Sequence, residues 1–141
     1  MSDLSPTIQP RIRHTMVRVK DLENSVKFYS EVLGMKEFRR NENEGGKYTV
    51  VFMGFGDEDT DPAIELTYNW GRDDGYELGT GYGHIAIGYP DIYKVCEKVE
   101  SFGMEVPRPP GPLKPVSYTH LRAHETLRYR VSRGRGAKKK G

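Results

Sequence analysis

The sequence predicts an α+β fold of paired βαβββ modules, the second of them incomplete. Three observations predict it. Two segments echo each other, HTMVRVKDLENSVKFYSEVLGM at 14–35 and HIAIGYPDIYKVCEKVESFGM at 84–104, with His14 and His84 (84 − 14) and Asp21 and Asp91 (91 − 21) each 70 positions apart. Three β-prone runs, at about 36–42, 47–55 and 62–70, stand between the echoes. Composition then changes sharply after Lys114: residues 1–114 carry 14 Lys+Arg against 19 Asp+Glu, and residues 115–141 carry 8 against 1 (22 − 14 and 20 − 19).

Taken in order, residues 1–10 read as a disordered extension. Each repeat then opens on a histidine and a short β-prone run, followed by an aspartate suited to cap a helix. Pro90, just before Asp91, suits a helix entrance. Leu22, Val26, Tyr29 and Leu33 recur at helical spacing in the first repeat, as do Ile92, Val95, Cys96, Val99 and Phe102 in the second. Gly34 and Gly103 supply the residue that most readily takes the left-handed conformation ending a helix. The strands between the repeats are separated by Gly45-Gly46 and by the acidic turn GDEDTDP at 56–62. That turn lacks the spacing and the distal glutamate of an EF-hand, so it reads as a solvated hairpin end rather than a calcium loop. The first module therefore reads β-α-β-β-β. The second begins β-α-β, and the residues after Pro112 offer neither length nor alternation for two further strands.

Bulk properties bound the rest. A chain of 141 residues, 35% hydrophobic and 30% charged, suits one domain or a tight pair of small modules. No run approaches the ~20 apolar residues of a membrane span. The amino-terminal MSDLSPTIQPRIRH has no apolar core of a secretory signal. A single cysteine, Cys96, excludes an intrachain disulfide framework, fits a reducing cytoplasm, and falls on an apolar helix face as packing rather than nucleophile.

Alternation along a strand puts residues i, i+2 and i+4 on one face. In AIELTYNW (63–70) this sets Glu65, Thr67 and Asn69 against Ile64, Leu66, Tyr68 and Trp70; in HTMVRV (14–19) it sets His14, Met16 and Arg18 against Thr15, Val17 and Val19. Two matched pairs result, His14 with Arg18 and Glu65 with Asn69, whose members lie about 13 Å apart at ~3.3 Å per residue. A curled sheet could gather His14, Glu65 and His84 at one level of a cavity, with Arg18 and Asn69 at another. Imidazole with carboxylate suits zinc, nickel, cobalt or iron, and Arg18 with Asn69 could hold a carboxylate and its polar neighbours. An isolated strand histidine is more often a satisfied structural residue. A carboxylate inside an apolar strand is costly to leave unpaired, which makes Glu65 the harder residue to dismiss.

Residues 11–114 closely resemble the glyoxalase I (lactoylglutathione lyase) family, in its short bacterial-type form within the vicinal oxygen chelate superfamily. The resemblance is carried by HTMVRVKDLENSVKFYSEVLGM, AIELTYNWG, YELGTGYGHIAI and RPPGPLK. It implies a domain over 11–114, with module one at 11–72 and an incomplete module two at 83–114, and a homodimer whose active sites draw ligands from both subunits. His14, Glu65 and His84 match three of the family's four metal ligands, and Arg18 and Asn69 match positions that hold the γ-glutamyl end of glutathione. The implied reaction isomerises the hemithioacetal of methylglyoxal and glutathione to S-lactoylglutathione through an enediolate, detoxifying methylglyoxal, with a metal-bound carboxylate such as Glu65 moving the proton. Trp70 and the 71–83 loop resemble the members that favour Ni2+ or Co2+ over Zn2+.

The family's fourth ligand is a glutamate on the last strand of the second module, where it also serves as principal proton acceptor. Nothing after GPLK matches it. VSYTHLRAHET instead resembles translated adapter sequence, so 115–141 reads as a basic non-family tail, disordered or artefactual. Glu125 is a weak substitute ligand, as are His120 and His124. The chain as written is accordingly expected to be unstable and feebly active. Rival readings are an extradiol dioxygenase or thiol transferase of the same superfamily, or a metal-free small-molecule-binding module. Nucleic acid is not an expected partner, because the basic tail has no aromatic stacking pattern behind its charge.

Overall fold

The computed structural model describes residues 9–104, 106, 118–123 and 129–133. The first module is complete. Strand β1 (His14–Arg18) leads into helix α1 (Leu22–Lys27), which continues as a π-helical turn over Phe28–Val32. Strands β2 (Lys36–Asn43), β3 (Tyr48–Gly54) and β4 (Ala63–Asn69) follow and complete a sheet of order β1-β4-β3-β2. β1 lies parallel to β4, while β2–β3 and β3–β4 are antiparallel. The second module opens as the first does, with β5 (Ile85–Gly88) and α2 (Ile92–Ser101).

The repeated helix punctuation has the same chemistry in both copies. Asp21 Oδ1 accepts from Asn24 N at 3.1 Å, and Asp91 Oδ1 accepts from Tyr93 N at 3.0 Å and Lys94 N at 3.2 Å. At the other ends Gly34 and Gly103 take φ of +81° and +93°. Met35 N then closes on Tyr29 O, and Met104 N on Val99 O. These are the bonds that satisfy orphan helix carbonyls. The π-helical bond, Leu33 N to Phe28 O at 3.1 Å, carries an extra residue in the turn, and both Phe28 and Tyr29 are fully buried.

One face of the first sheet carries Val17, Val51, Met53, Ile64 and Leu66, which pack with Phe28, Tyr29 and Leu33 and with Val95 and Val99 of α2 in a shared core. Phe28 and Phe102 meet at 5.7 Å between ring centroids, and Tyr89 Oη donates to Leu33 O at 2.7 Å. The two modules are thereby joined through their helices. The opposite face of the sheet holds a smaller cluster of Val50, Phe52 and Ala63 beneath Phe38 and Tyr48.

The second module departs from the first after Met104. The strand expected directly behind α2 lies outside the described residues. Where no strand pair was expected, Tyr118–Ala123 (β6) and Tyr129–Arg133 (β7) form an antiparallel sheet of order β5-β6-β7. A true repeat of the first module would pair β5 in parallel, as β1 pairs with β4; here Ile85 faces Leu121 and Gly88 faces Tyr118 in antiparallel register. Backbone hydrogen bonding explains the difference: an open strand edge accepts any extended backbone in reach, whether or not its side chains alternate. Among the described residues no helix is long and apolar enough to cross a membrane.

Candidate metal and substrate site

Parallel pairing of β1 with β4 builds the site. The register sets Met16 beside Glu65 and Arg18 beside Thr67, so His14 and Glu65 are diagonal neighbours, one pleat apart on the same face. Arg18 and Asn69 stand in the same diagonal relation four residues further along. An antiparallel pair would have brought His14 towards Asn69 instead. The two pairs expected from alternation are therefore kept in the same order along the sheet, about 13 Å apart.

At the first level, His14 Nε2 lies 3.0 Å from Glu65 Oε1. The Glu65 side chain is 18% exposed and that of His14 43%, so the pair remains open to solvent, chiefly at the imidazole. The imidazole ring stands edge-on to Phe52, with centroids 5.3 Å apart at 76°. Phe52 is the β3 partner of Glu65, and Arg39 covers its ring with the guanidinium carbon 3.9 Å from the centroid. Arg39 Nε reaches both oxygens of Glu58 at 3.0 Å, and Arg11 Nη2 donates to the carbonyls of Glu58 and Asp59 at 3.0 and 2.9 Å. The acidic turn, read as a solvated hairpin end, is thus tied down beside the site by two arginines.

The donor set fits a divalent metal. Two ligand atoms held at right angles, each at the ~2.1 Å usual for imidazole nitrogen and carboxylate oxygen on such ions, stand about 3.0 Å apart, which is the separation the His14–Glu65 pair already has. His84 is exposed and immediately precedes β5. Among the described residues no group of three or more His, Cys, Asp or Glu side chains is gathered as a metal cage, so one copy of the chain brings together two of the three expected ligands and not the third. His120 lies on β6 facing Ala86 in the backbone register; His124 and Glu125 lie outside the described residues.

At the second level, Arg18 is exposed and Asn69 half-buried. Asn69 Oδ1 accepts from Tyr76 Oη at 2.9 Å. Thr67 lies between Glu65 and Asn69 on the strand, and its hydroxyl is buried with no partner among the described residues. A cavity of about 390 Å3 lined by Thr15, Met53, Ile64, Ile85 and Ile87 opens on the reverse side of β1 and β4, and among the described residues no titratable group lines it.

Phe52, Arg39 and Tyr76 were not anticipated. The run TVVFM has no polar alternation to mark which face Phe52 takes, and Arg39 could be assigned to it only through the β2–β3 register. Tyr76 sits in a loop with no periodicity at all.

The model of the Glyoxalase/Bleomycin resistance protein/Dioxygenase superfamily matches residues 11–120. A probable lactoylglutathione lyase of Vibrio parahaemolyticus is 54% identical over 104 residues, which are 74% of this chain and 75% of that protein. Among solved structures, glyoxalase I from Zea mays superposes with a TM-score of 0.75 at 40% identity, covering 89% of this chain and 44% of that one. The trypanothione-dependent glyoxalase I of Leishmania major gives 0.73 at 33% identity, covering 89% and 87%.

Proposed function

Since the chain belongs to the Glyoxalase/Bleomycin resistance protein/Dioxygenase superfamily, we propose that it is a lactoylglutathione lyase, converting the hemithioacetal of methylglyoxal and glutathione to S-lactoylglutathione. The observation that carries this reading is the His14–Glu65 pair, preformed at metal-ligand spacing within a segment 54% identical to a probable lactoylglutathione lyase. His14 and Glu65 would hold a divalent ion, Ni2+ or Co2+ in preference to Zn2+, together with His84. Because one copy does not gather all three, a homodimer in which a second copy supplies His84 is the arrangement that completes the set.

When bound, the metal supplies Lewis acidity to charge developing on two neighbouring substrate oxygens. The chain's own residues do the remainder. Arg18 and Asn69 hold the γ-glutamyl end of glutathione, and the ~13 Å between the two levels of the face is spanned by the tripeptide, whose thiol carries the reacting carbons. Phe52 and Met16 flank Glu65 across the strands and limit the water reaching it. The Glu65 carboxylate takes the proton from the carbon bearing sulfur and hydroxyl and returns it to the adjacent carbon. The hydroxyl on the first carbon gives up its proton as it becomes the thioester carbonyl, and the neighbouring ketone oxygen gains one. No carbon–oxygen bond is broken, and the product is the thioester isomer. A cytoplasmic setting suits a chain whose single cysteine, Cys96, is buried and reduced.

Nothing after Lys114 matches the glutamate that the family places on its last strand, so turnover resting on Glu65 alone is expected to be weak. The test is the full chain reconstituted with Ni2+ or Co2+ and supplied with methylglyoxal and glutathione. Metal-dependent thioester formation supports the lyase reading. Consumption of a catechol that needs iron and oxygen, with no thioester formed, overturns it.

A further inference from the structure

The loop behind β4 touches the Asn69 end of the site. A phenol hydrogen can be given only to the oxygen of an amide, so Tyr76 donation to Asn69 Oδ1 at 2.9 Å engages one of the two carbonyl lone pairs and sets Nδ2, with both its N–H donors, on the other branch of the amide. Tyr76 is itself held. The Arg72 guanidinium carbon lies 4.3 Å from its ring centroid, Arg72 Nη2 donates to Gly75 O at 3.1 Å, and Arg72 Nε pairs with Asp74 Oδ1 at 3.0 Å. Gly71 and Gly75, with φ of +84° and +88°, let so short a loop turn back on the strand. From the other face of β4, Tyr68 Oη donates to Asp73 Oδ1 at 3.1 Å, fixing the loop a second time.

An untethered asparagine can offer either its carbonyl to a cation or its NH2 to an anion. A tethered one has its orientation fixed, with Nδ2 on the branch away from Tyr76. We propose that Tyr76 is a positioning residue that sets the Asn69 amide to present its N–H donors, so that this end of the site selects an anionic carboxylate, the one at the γ-glutamyl terminus. The proposal rests on the reading of Arg18 and Asn69 as the glutathione-binding pair. Tyr76 touches no reacting atom; it acts through Asn69.

The experiment has two arms, each with Y76F, which removes the hydroxyl and keeps the ring. In the 15N-labelled chain without ligand, the Asn69 side-chain amide signals, identified by their loss in N69A, should shift in Y76F towards those of an unrestrained asparagine. Unchanged signals overturn the tether. In the second arm, calorimetry with S-methylglutathione should show Y76F weakening binding about fivefold, the usual value of one hydrogen bond, and N69A/Y76F binding no more weakly than N69A. An equal loss in both backgrounds would mean a merely structural role and overturn the proposal. A chain that ignores S-methylglutathione while its Asn69 signals still answer to Y76F overturns the glutathione assignment, and carboxylate selection with it, independently of the tether.

Discussion

Glu65→Gln separates what the site does from what it contributes to the fold. Glutamine keeps the shape of the side chain and an oxygen that can still accept from His14, but loses the charge that binds a cation and the basicity that moves a proton. The structural cost is small: with the His14 side chain 43% and that of Glu65 18% exposed the pair is partly in water, and ion pairs open to solvent contribute about 0–1 kcal/mol. The functional cost is larger. Loss of a positioned general base lowers rate by roughly 10²–10⁴-fold, about 2.7–5.4 kcal/mol at 1.36 kcal/mol per tenfold. Urea unfolding of the metal-free variant should therefore lie within ~1 kcal/mol of wild type, while thioester formation, followed by ultraviolet absorbance at matched metal content, collapses. Metal affinity, measured by calorimetry, should fall in parallel. Turnover of E65Q within about threefold of wild type would refute Glu65 as the proton carrier, since a base contributes at least ~10²-fold.

Other outcomes follow from the core, the caps and the buried phenol. Leu66→Ala empties a fully buried position between Glu65 and Thr67 and should cost about 2–5 kcal/mol, read as a lowered denaturant midpoint. Asp91→Ala removes a carboxylate that accepts two backbone N–H groups and should cost about 1 kcal/mol by the same assay. Burial raises the Tyr89 phenol above its usual range, so the folded chain keeps that proton longer than the unfolded one. Its contribution is fully present below the unfolded value of about 10 and is lost as pH climbs towards the folded one. Stability should accordingly decline on the alkaline side, and Tyr89→Phe should flatten that decline.

How far the site could be read from sequence depended on the range of the interaction. Alternation placed His14 and Arg18 on one face and Glu65 and Asn69 on another, because pleating is local. That the two faces are the same face, and that His14 meets Glu65 rather than Asn69, depends on the parallel register of strands far apart in the chain. Asp21, Asp91, Gly34 and Gly103 were legible because a cap acts within a few residues. Phe52 was hidden by a strand apolar on both sides, its neighbours Val51 and Met53 entering the main core while it packs with Val50 under Phe38. The strands at 118–123 and 129–133 could not be read because the first pairs on an open β5 edge and the second on the first, pairings made by backbone rather than announced by alternation in the sequence.

The β1–β4 pairing also sets an order in time. His14 and Glu65 lie 51 positions apart (65 − 14), and closing a loop of that length costs about 3.5 kcal/mol in chain entropy from its length-dependent part. In the sheet order β1-β4-β3-β2, β4 is the last strand synthesised and a central one. Until it leaves the ribosome, β1 has no partner in this sheet and the two ligands share no neighbourhood. A metal ion offered to the nascent chain would find an isolated histidine on an unpaired strand, with nothing to template. It would be captured only once the module had closed, and would then lengthen the lifetime of the folded state rather than hasten its formation.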